Sequence, residues 1–198
     1  MLLHPLLLPT LAFFVLLFIS PVAILSVRSE AKWPLLTLIF IMTFVIPVCG
    51  IYLYYLLGGT KDLFLEEAKD RKIPYIFATI CYTFCTFLFI TGDSFAALPA
   101  LAVIIGSITV SIALVTVINF FWKISAHSVG ISGVIGFITA LVIKYDEGVL
   151  YYPLLITIIL AGLLMSARLQ LNAHTPTQIL AGTMLGFSVS FLAIIAFL

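Results

Sequence analysis

The sequence predicts an all-α fold, a polytopic bundle of about seven membrane-spanning helices. The chain is 64% hydrophobic and only 9% charged, and its apolar residues form long uninterrupted runs. A backbone inside lipid must satisfy its own hydrogen bonds, so a crossing segment is either a helix or part of a closed barrel. Barrel strands alternate apolar and polar residues, and these runs do not alternate. We therefore expect a single integral membrane domain over residues 1–198.

Seven apolar runs are candidates for the spans. The first contains Pro9 and Pro21, which we expect to kink it, and the fifth is the shortest, near the lower limit for crossing about 30 Å of hydrocarbon. A charged loop over residues 58–73 separates the second span from the third. The spans run from about Leu6 to Val27, Trp33 to Leu57, Pro74 to Thr91, Pro99 to Trp122, Ser128 to Ile143, Val149 to Ala167 and Thr177 to Leu198.

Alternation of seven spans decides which polar segments share a face of the membrane. The charged loop, the connection before the fifth span and the connection before the seventh all lie on one face. Segments 28–32, 92–98 and 144–148 lie on the other. The first face therefore holds His127, Arg168 and His174, together with the cluster Asp70-Arg71-Lys72.

Lysine and arginine are more numerous on the face that carries these histidines, six against three opposite. The positive-inside rule then places this face in the cytoplasm. Four of the six are also candidates for chemistry, and without them the count is two against three, so the preference is small. We expect an integral protein of the bacterial inner membrane. The net charge of +1 argues against nucleic acid as a partner.

These residue types suit the handling of a phosphate ester. Arginine bonds phosphate oxygens bidentately, so Arg168 is a candidate phosphate ligand. Histidine titrates near neutral pH and can serve as nucleophile or acid, roles open to His127 and His174. The start of the fifth span offers free backbone amides for an anion. Lys123 adds a positive group one turn before His127 if the helix extends through it.

Two motifs resemble those of the type 2 phosphatidic acid phosphatase superfamily, which removes phosphate from membrane lipids. That family's second motif is Pro-Ser-Gly-His, and this chain has Ile124-Ser125-Ala126-His127. The third motif is Ser-Arg, five residues, His, three residues, Asp. Here Arg168 is followed by five residues, His174, three residues and then Gln178. The resemblance covers about a third of the chain.

The resemblance implies a six-span phosphatase-like fold with one further span, and a phosphatase-like core at about residues 98–198. It implies that His174 is the nucleophile, which forms a phosphohistidine, and that His127 is the general acid. Arg168 and the Ser125–His127 backbone would cradle the phosphate. The implied substrate is a phosphomonoester or pyrophosphate of a lipid, phosphatidic acid-like or isoprenyl. No metal and no cofactor are expected.

Several positions depart from the family's pattern. The aspartate that should orient the nucleophilic histidine is replaced by Gln178. An amide can hold the ring but cannot stabilise an imidazolium as a carboxylate does, and Asp70 would replace that carboxylate if its loop folded over the site. The first motif, Lys, six residues and Arg-Pro, is absent. The nearest match is Asp70-Arg71-Lys72-Ile73-Pro74, which supplies Arg71 and Lys72 as phosphate ligands.

Two other readings stay open from the sequence. With Gln178 in place of aspartate, the chain is alternatively a degenerate member that binds or transports a phosphorylated lipid. More distantly, Gly130-Ile131-Ser132-Gly133 fits the GxSG of rhomboid intramembrane serine proteases, with His174 as partner. Gly182 and Gly186, four residues apart, predict close helix packing. We interpret His4 as a residue of the membrane interface.

Overall fold

The computed structural model describes residues 4–19, 27–60, 68–92, 95, 98–146 and 148–198, and within them every regular element is helical. Six of these helices are long and apolar enough to cross a membrane, which makes the chain an integral membrane protein. The helices are α1 Leu8–Ile19, α2 Ser29–Leu56, α3 Lys72–Thr91, α4 Pro99–Asn119, α5 Ala126–Tyr145, α6 Tyr151–Gln170 and α7 Pro176–Phe197.

The first predicted span is described only over its first part. This part, α1, has 12 residues and includes a π-helical turn at Val15–Ile19. Pro9 lies in the first turn, where its missing N–H costs no hydrogen bond, so it begins the helix instead of kinking it. The predicted kink at Pro21 lies outside the described residues.

The fifth span is longer than the sequence suggested. Helix α5 has 20 residues, about 30 Å, so the expectation that it is barely long enough to cross is wrong. The helix continues past the predicted end at Ile143 through Lys144 and Tyr145, and both side chains find acceptors on α7 or just after it. Lys144 Nζ donates to the Ile195 carbonyl at 3.0 Å, and the Tyr145 hydroxyl donates to the Leu198 carbonyl at 2.9 Å. A lysine that reaches an acceptor in this way can stay within the helix end.

Helix α5 is the centre of the bundle and packs most extensively against α7. Glycines bring the two backbones together. A Cβ at Gly136 would lie 2.5 Å from the Phe187 carbonyl oxygen, and one at Gly182 would lie 2.9 Å from that of Ser125. A Cβ at Gly186 would overlap the Val129 carbonyl oxygen. The predicted close packing at Gly182 and Gly186 is therefore confirmed, because only a residue without a side chain fits there.

The two ends of the bundle are packed differently. We call the end where α3, α5 and α7 begin the site end, and the opposite end the far end. Toward the far end, apolar side chains from α1, α2, α3, α4, α5 and α7 form the main solid core. Between α3 and α4, hydroxyl pairs such as Thr79 with Thr116 (2.9 Å) and Thr86 with Thr109 (2.7 Å) join the helices. The site end, by contrast, contains a large cavity.

Candidate functional site

Three polar segments that are distant in sequence meet at the site end. They line one cavity of about 910 Å³. The first segment is the 3-10 turn that ends at Arg71, just before α3. The second leads into α5 and includes its first turn. The third comprises the last turn of α6 and its connection to α7. The predicted site residues that line this cavity are Arg71, Lys123, His127, Arg168 and His174. Span alternation thus identified residues that do lie together.

A serine cap fixes the residue at which α5 begins. Ser125 is the N-cap of α5, and its hydroxyl accepts from Ser128 N at 3.3 Å and from the Ser128 hydroxyl at 2.9 Å. The cap directs the first-turn amides of Ala126 and His127 toward the end of the helix, where no intrahelical acceptor exists. Since α5 begins at Ala126, Lys123 precedes the helix, yet it still lines the cavity.

Arg168 and His127 are in direct contact. The Arg168 Nη2 atom lies 3.0 Å from His127 Nδ1 and also contacts Nε2 of the same ring. A guanidinium can only donate, so the imidazole nitrogen that faces it acts as an acceptor and carries no proton. In this arrangement His127 is neutral.

His174 is held by Gln178 through a capping box at the start of α7. Gln178 Oε1 lies 3.0 Å from His174 Nδ1 and accepts the Thr175 backbone N–H at 3.2 Å. The Thr175 hydroxyl in turn accepts from Gln178 N at 3.4 Å. The backbone N–H requires an oxygen at this point of the amide, so Nδ1 of His174 must be the donor. Its proton is thereby assigned to Nδ1, and the lone pair lies on Nε2.

The environment of His174 keeps the ring neutral. The side chain is only 7% exposed. The pKa of His174 is lowered from 6.5 to about 4, mainly by burial and also by the positive charges of Arg71, Lys123 and Arg168, while the Gln178 hydrogen bond opposes the shift. A neutral imidazole with a free Nε2 lone pair at pH 7 is chemically a nucleophile or a base.

A third histidine, His4, joins the site and was missed by the sequence interpretation. It lines the cavity, and its ring centroid lies 6.1 Å from that of His127, edge to face. Its Nδ1 accepts from Leu6 N at 3.4 Å, which leaves Nε2 as the donor. Burial, then the charge of Arg168, lowers the pKa of His4. Span alternation also puts residue 4 on the face of His127, so the signal was present in the sequence.

The side chains of three predicted site residues do not line the cavity. Ser125 is fully buried, and its hydroxyl is used as the cap of α5. Lys72 points instead to Phe120, with Nζ 5.3 Å from the ring centroid. Asp70 lies in the 3-10 turn before α3, outside the cavity lining, and the Nδ1 partner of His174 is Gln178 rather than Asp70.

Beyond this polar end, the cavity is mostly apolar, and the hydroxyl residues of its lining there include Ser111 and Ser190. It extends between α1, α2, α3, α4 and α5 toward the far end of the bundle. Its walls there are made mainly by apolar and small residues, among them Leu8, Ile51, Ala78, Ile108, Gly133 and Phe137. The cavity thus joins a cationic, histidine-rich mouth to a hydrocarbon-like interior.

The described part of the chain contains no group of three or more His, Cys, Asp or Glu side chains placed to share a metal ion. No family model matches the chain, and neither a curated protein nor a solved structure matches it. The chemistry of the site therefore has to be inferred from its own residues.

Proposed function

We propose that the protein is a membrane phosphatase that hydrolyses the phosphate ester or pyrophosphate of a lipid through a phosphohistidine. One observation carries the proposal: Arg71, Lys123 and Arg168 meet two histidines at the mouth of a cavity whose remainder is mostly apolar. A phosphorylated lipid has this same division between a multiply charged head and a hydrocarbon tail. The donor set and the lone pair on His174 Nε2 supply the parts that phosphoryl transfer requires.

Phosphate binding is assigned to the cations of the mouth. Arg168 offers a planar fork for two phosphate oxygens, and Arg71 and Lys123 approach the same region, since their charges act on His174. The amides of Ala126 and His127 at the start of α5 add donors at the positive end of a helix dipole. These groups would hold the three non-bridging oxygens and stabilise their charge during transfer.

The proposed reaction has two steps. His174 Nε2 attacks phosphorus, the bond from phosphorus to the lipid oxygen breaks, and that oxygen takes a proton from His127. Water then attacks the phosphohistidine, His127 removes a proton from the water, and inorganic phosphate leaves with His174 restored. His127 becomes an acid when bound phosphate takes Arg168 away from it, because the freed ring nitrogen can then hold a proton beside the dianion.

Gln178 favours one second candidate function, the binding or transport of a phosphorylated lipid without hydrolysis. An amide positions His174 but adds no negative charge to stabilise the ring when it becomes cationic. In serine proteases, replacing the carboxylate that orients the catalytic histidine lowers kcat about 10⁴-fold. A slow phosphatase and a protein that only binds the lipid would therefore use the same site, and only the release of phosphate distinguishes them.

The geometry gives less support to the rhomboid-like reading. Ser132 is 1% exposed, and its hydroxyl donates to the Ser128 carbonyl at 2.6 Å within α5. It lies against the backbone of Gly182 in the α5–α7 contact. Its surroundings are those of a packing residue, and the His174 Nδ1 partner is Gln178.

The test is phosphate release from a panel of phosphatidic acids and isoprenyl phosphates by the purified protein. We expect release by the native chain and its loss in His174→Ala. Lys32→Ala is the matched control, because it removes a cation outside the cavity lining, in the first turn of α2. Binding of these lipids without release of phosphate would contradict the enzymatic proposal and favour the binding function.

We further propose a location in the bacterial inner membrane with the site at the cytoplasmic face. Thr177 is exposed beside the site, so a cysteine placed there reports its side. We expect an impermeant thiol reagent to label Thr177→Cys in inverted vesicles and not in intact cells. Labelling in intact cells would reverse the assignment. The native chain measures the background from its own three cysteines.

A further inference from the structure

We propose that the apolar depth of the cavity encloses the hydrocarbon tail of the lipid whose phosphate binds at the mouth, so that the tail enters the helix bundle. This inference rests on the proposed function and specifies its substrate as a lipid phosphate with a chain able to leave the bilayer. The residues that limit the length of the accepted chain would then lie on α3, α4 and α5.

The depth of the cavity matches one leaflet of a bilayer. Its lining extends from Arg71, just before α3, to Tyr82 on that helix, and on α5 from Ala126 to Phe137. Each stretch advances 11 residues, about 16 Å at 1.5 Å per residue. The hydrocarbon core of a bilayer is about 30 Å thick, so the cavity, with its polar mouth included, is about half of it deep. A tail that reaches from the interface to the bilayer midplane would fill it.

A solid floor closes the chamber. One turn beyond Tyr82 and Phe137, Cys85 and Leu141 belong to the packed core of the far end and are at most 1% exposed. Tyr82 is itself 1% exposed, and its hydroxyl donates to the Thr43 carbonyl at 3.1 Å. With that polar atom satisfied, the ring presents apolar surface. The hollow half and the solid half of the bundle meet at this layer.

Small residues line the space above the floor. Ala78 lies one turn above Tyr82 on α3. Gly130 and Gly133 lie above Phe137 on α5, where they allow close contact with Leu8 and Ser190. Ser111 on α4 lines the same region, but its hydroxyl is satisfied by the Ser107 carbonyl at 2.9 Å. With a volume of about 910 Å³, the cavity lies near the upper end of the roughly 300–1,000 Å³ usual for small-molecule sites.

The experiment measures phosphate release from soluble alkyl phosphates of increasing chain length, from butyl to octyl and beyond. In the native chain we expect kcat/KM to rise about tenfold for each two added methylenes, and then to level when the chamber is full. Ala78→Phe fills the chamber one turn above its floor. We expect this variant to stay within about twofold of the native protein on butyl phosphate and to lose about tenfold on octyl phosphate.

Matched variants separate chamber filling from general damage. Ile80→Phe adds a comparable ring on the same helix but on its exposed face, and should follow the native chain-length profile. Ile112→Trp fills the same layer from α4 and should repeat the effect of Ala78→Phe if that variant does not fold. A loss that is equal at every chain length, or a native profile in both filled variants, would overturn the proposal.

Failure of this inference is distinguishable from failure of the proposed function. If the native chain releases no phosphate from any substrate, the hydrolytic proposal fails, and binding of non-hydrolysable alkyl phosphonates still tests the chamber. Affinity should then rise with chain length in the native protein, and the rise should flatten in Ala78→Phe. Phosphonate affinity that is independent of chain length in both proteins would overturn the chamber alone.

Discussion

Gln178 Oε1 accepts hydrogen bonds from two donors at once, His174 Nδ1 at 3.0 Å and Thr175 N at 3.2 Å. One amide oxygen therefore closes the capping box of α7 and orients the imidazole at the site. Helix initiation and the proposed chemistry would depend on the same side chain. This double use explains how a glutamine can replace the expected aspartate without releasing the ring.

Substitutions of Gln178 separate its two roles. In Gln178→Glu the carboxylate can keep both hydrogen bonds and adds the charge that stabilises a cationic ring, so we expect kcat to rise, by about tenfold or more. Gln178→Leu removes both contacts and should abolish most of the activity. Both rates are measured by phosphate release from the best lipid of the panel.

Thr175→Ala is the control for the cap alone. It removes the hydroxyl that accepts from Gln178 N but leaves the oxygen that holds His174. We expect a loss of about 1 kcal/mol in stability and a small change in kcat. A Thr175→Ala variant as inactive as Gln178→Leu would show that the orientation of His174 is not what Gln178 supplies.

The proton affinity of His174 gives a second prediction. Because its pKa is lowered to about 4 by burial and nearby cations, the ring should stay neutral from pH 8 down to about pH 5. In the unfolded chain the ring would take a proton near pH 6.5, so this residue should make the fold less stable as the pH falls from about 6.5 toward 4. Imidazole NMR of the ligand-free protein, assigned with single histidine variants, measures the midpoint. A midpoint between 6 and 7 would contradict the buried, cation-flanked geometry.

The sequence predicted the helices and their meeting point better than the directions of side chains. Apolar runs identify spans because lipid tolerates little else, and alternation then places His127 and His174 together. The length of α5 was underestimated because Lys144 finds a carbonyl acceptor on α7 and stays within the helix. Such a contact depends on tertiary packing. The departure of Lys72 toward Phe120 likewise depends on a neighbour that no local pattern reveals.

Arg71 and Lys72 give a third prediction, because the side chains of these adjacent cations point to different places. Arg71 lines the cavity, whereas Lys72 lies over Phe120. We expect Arg71→Ala to lower kcat/KM by about 10² or more through loss of a charged hydrogen bond to phosphate. Lys72→Ala should remain within about threefold of the native protein. Equal losses in the two variants would show that total charge, rather than a positioned guanidinium, is what the site requires.

His4 gives the last prediction, because the structure assigns it a donor that the sequence did not. Its Nδ1 accepts from Leu6 N, so the N–H on Nε2 is the group available to a ligand in the cavity. In His4→Asn the amide oxygen can replace Nδ1 as the acceptor, while the Nε2 donor is lost. We expect the KM for a lipid phosphate to rise by about tenfold, the magnitude of one hydrogen bond to a charged group, with thermal stability nearly unchanged. His4→Leu, which removes both nitrogens, should show the same rise in KM together with lower stability. A His4→Asn variant with native KM would mean that His4 only supports the edge of the His127 ring.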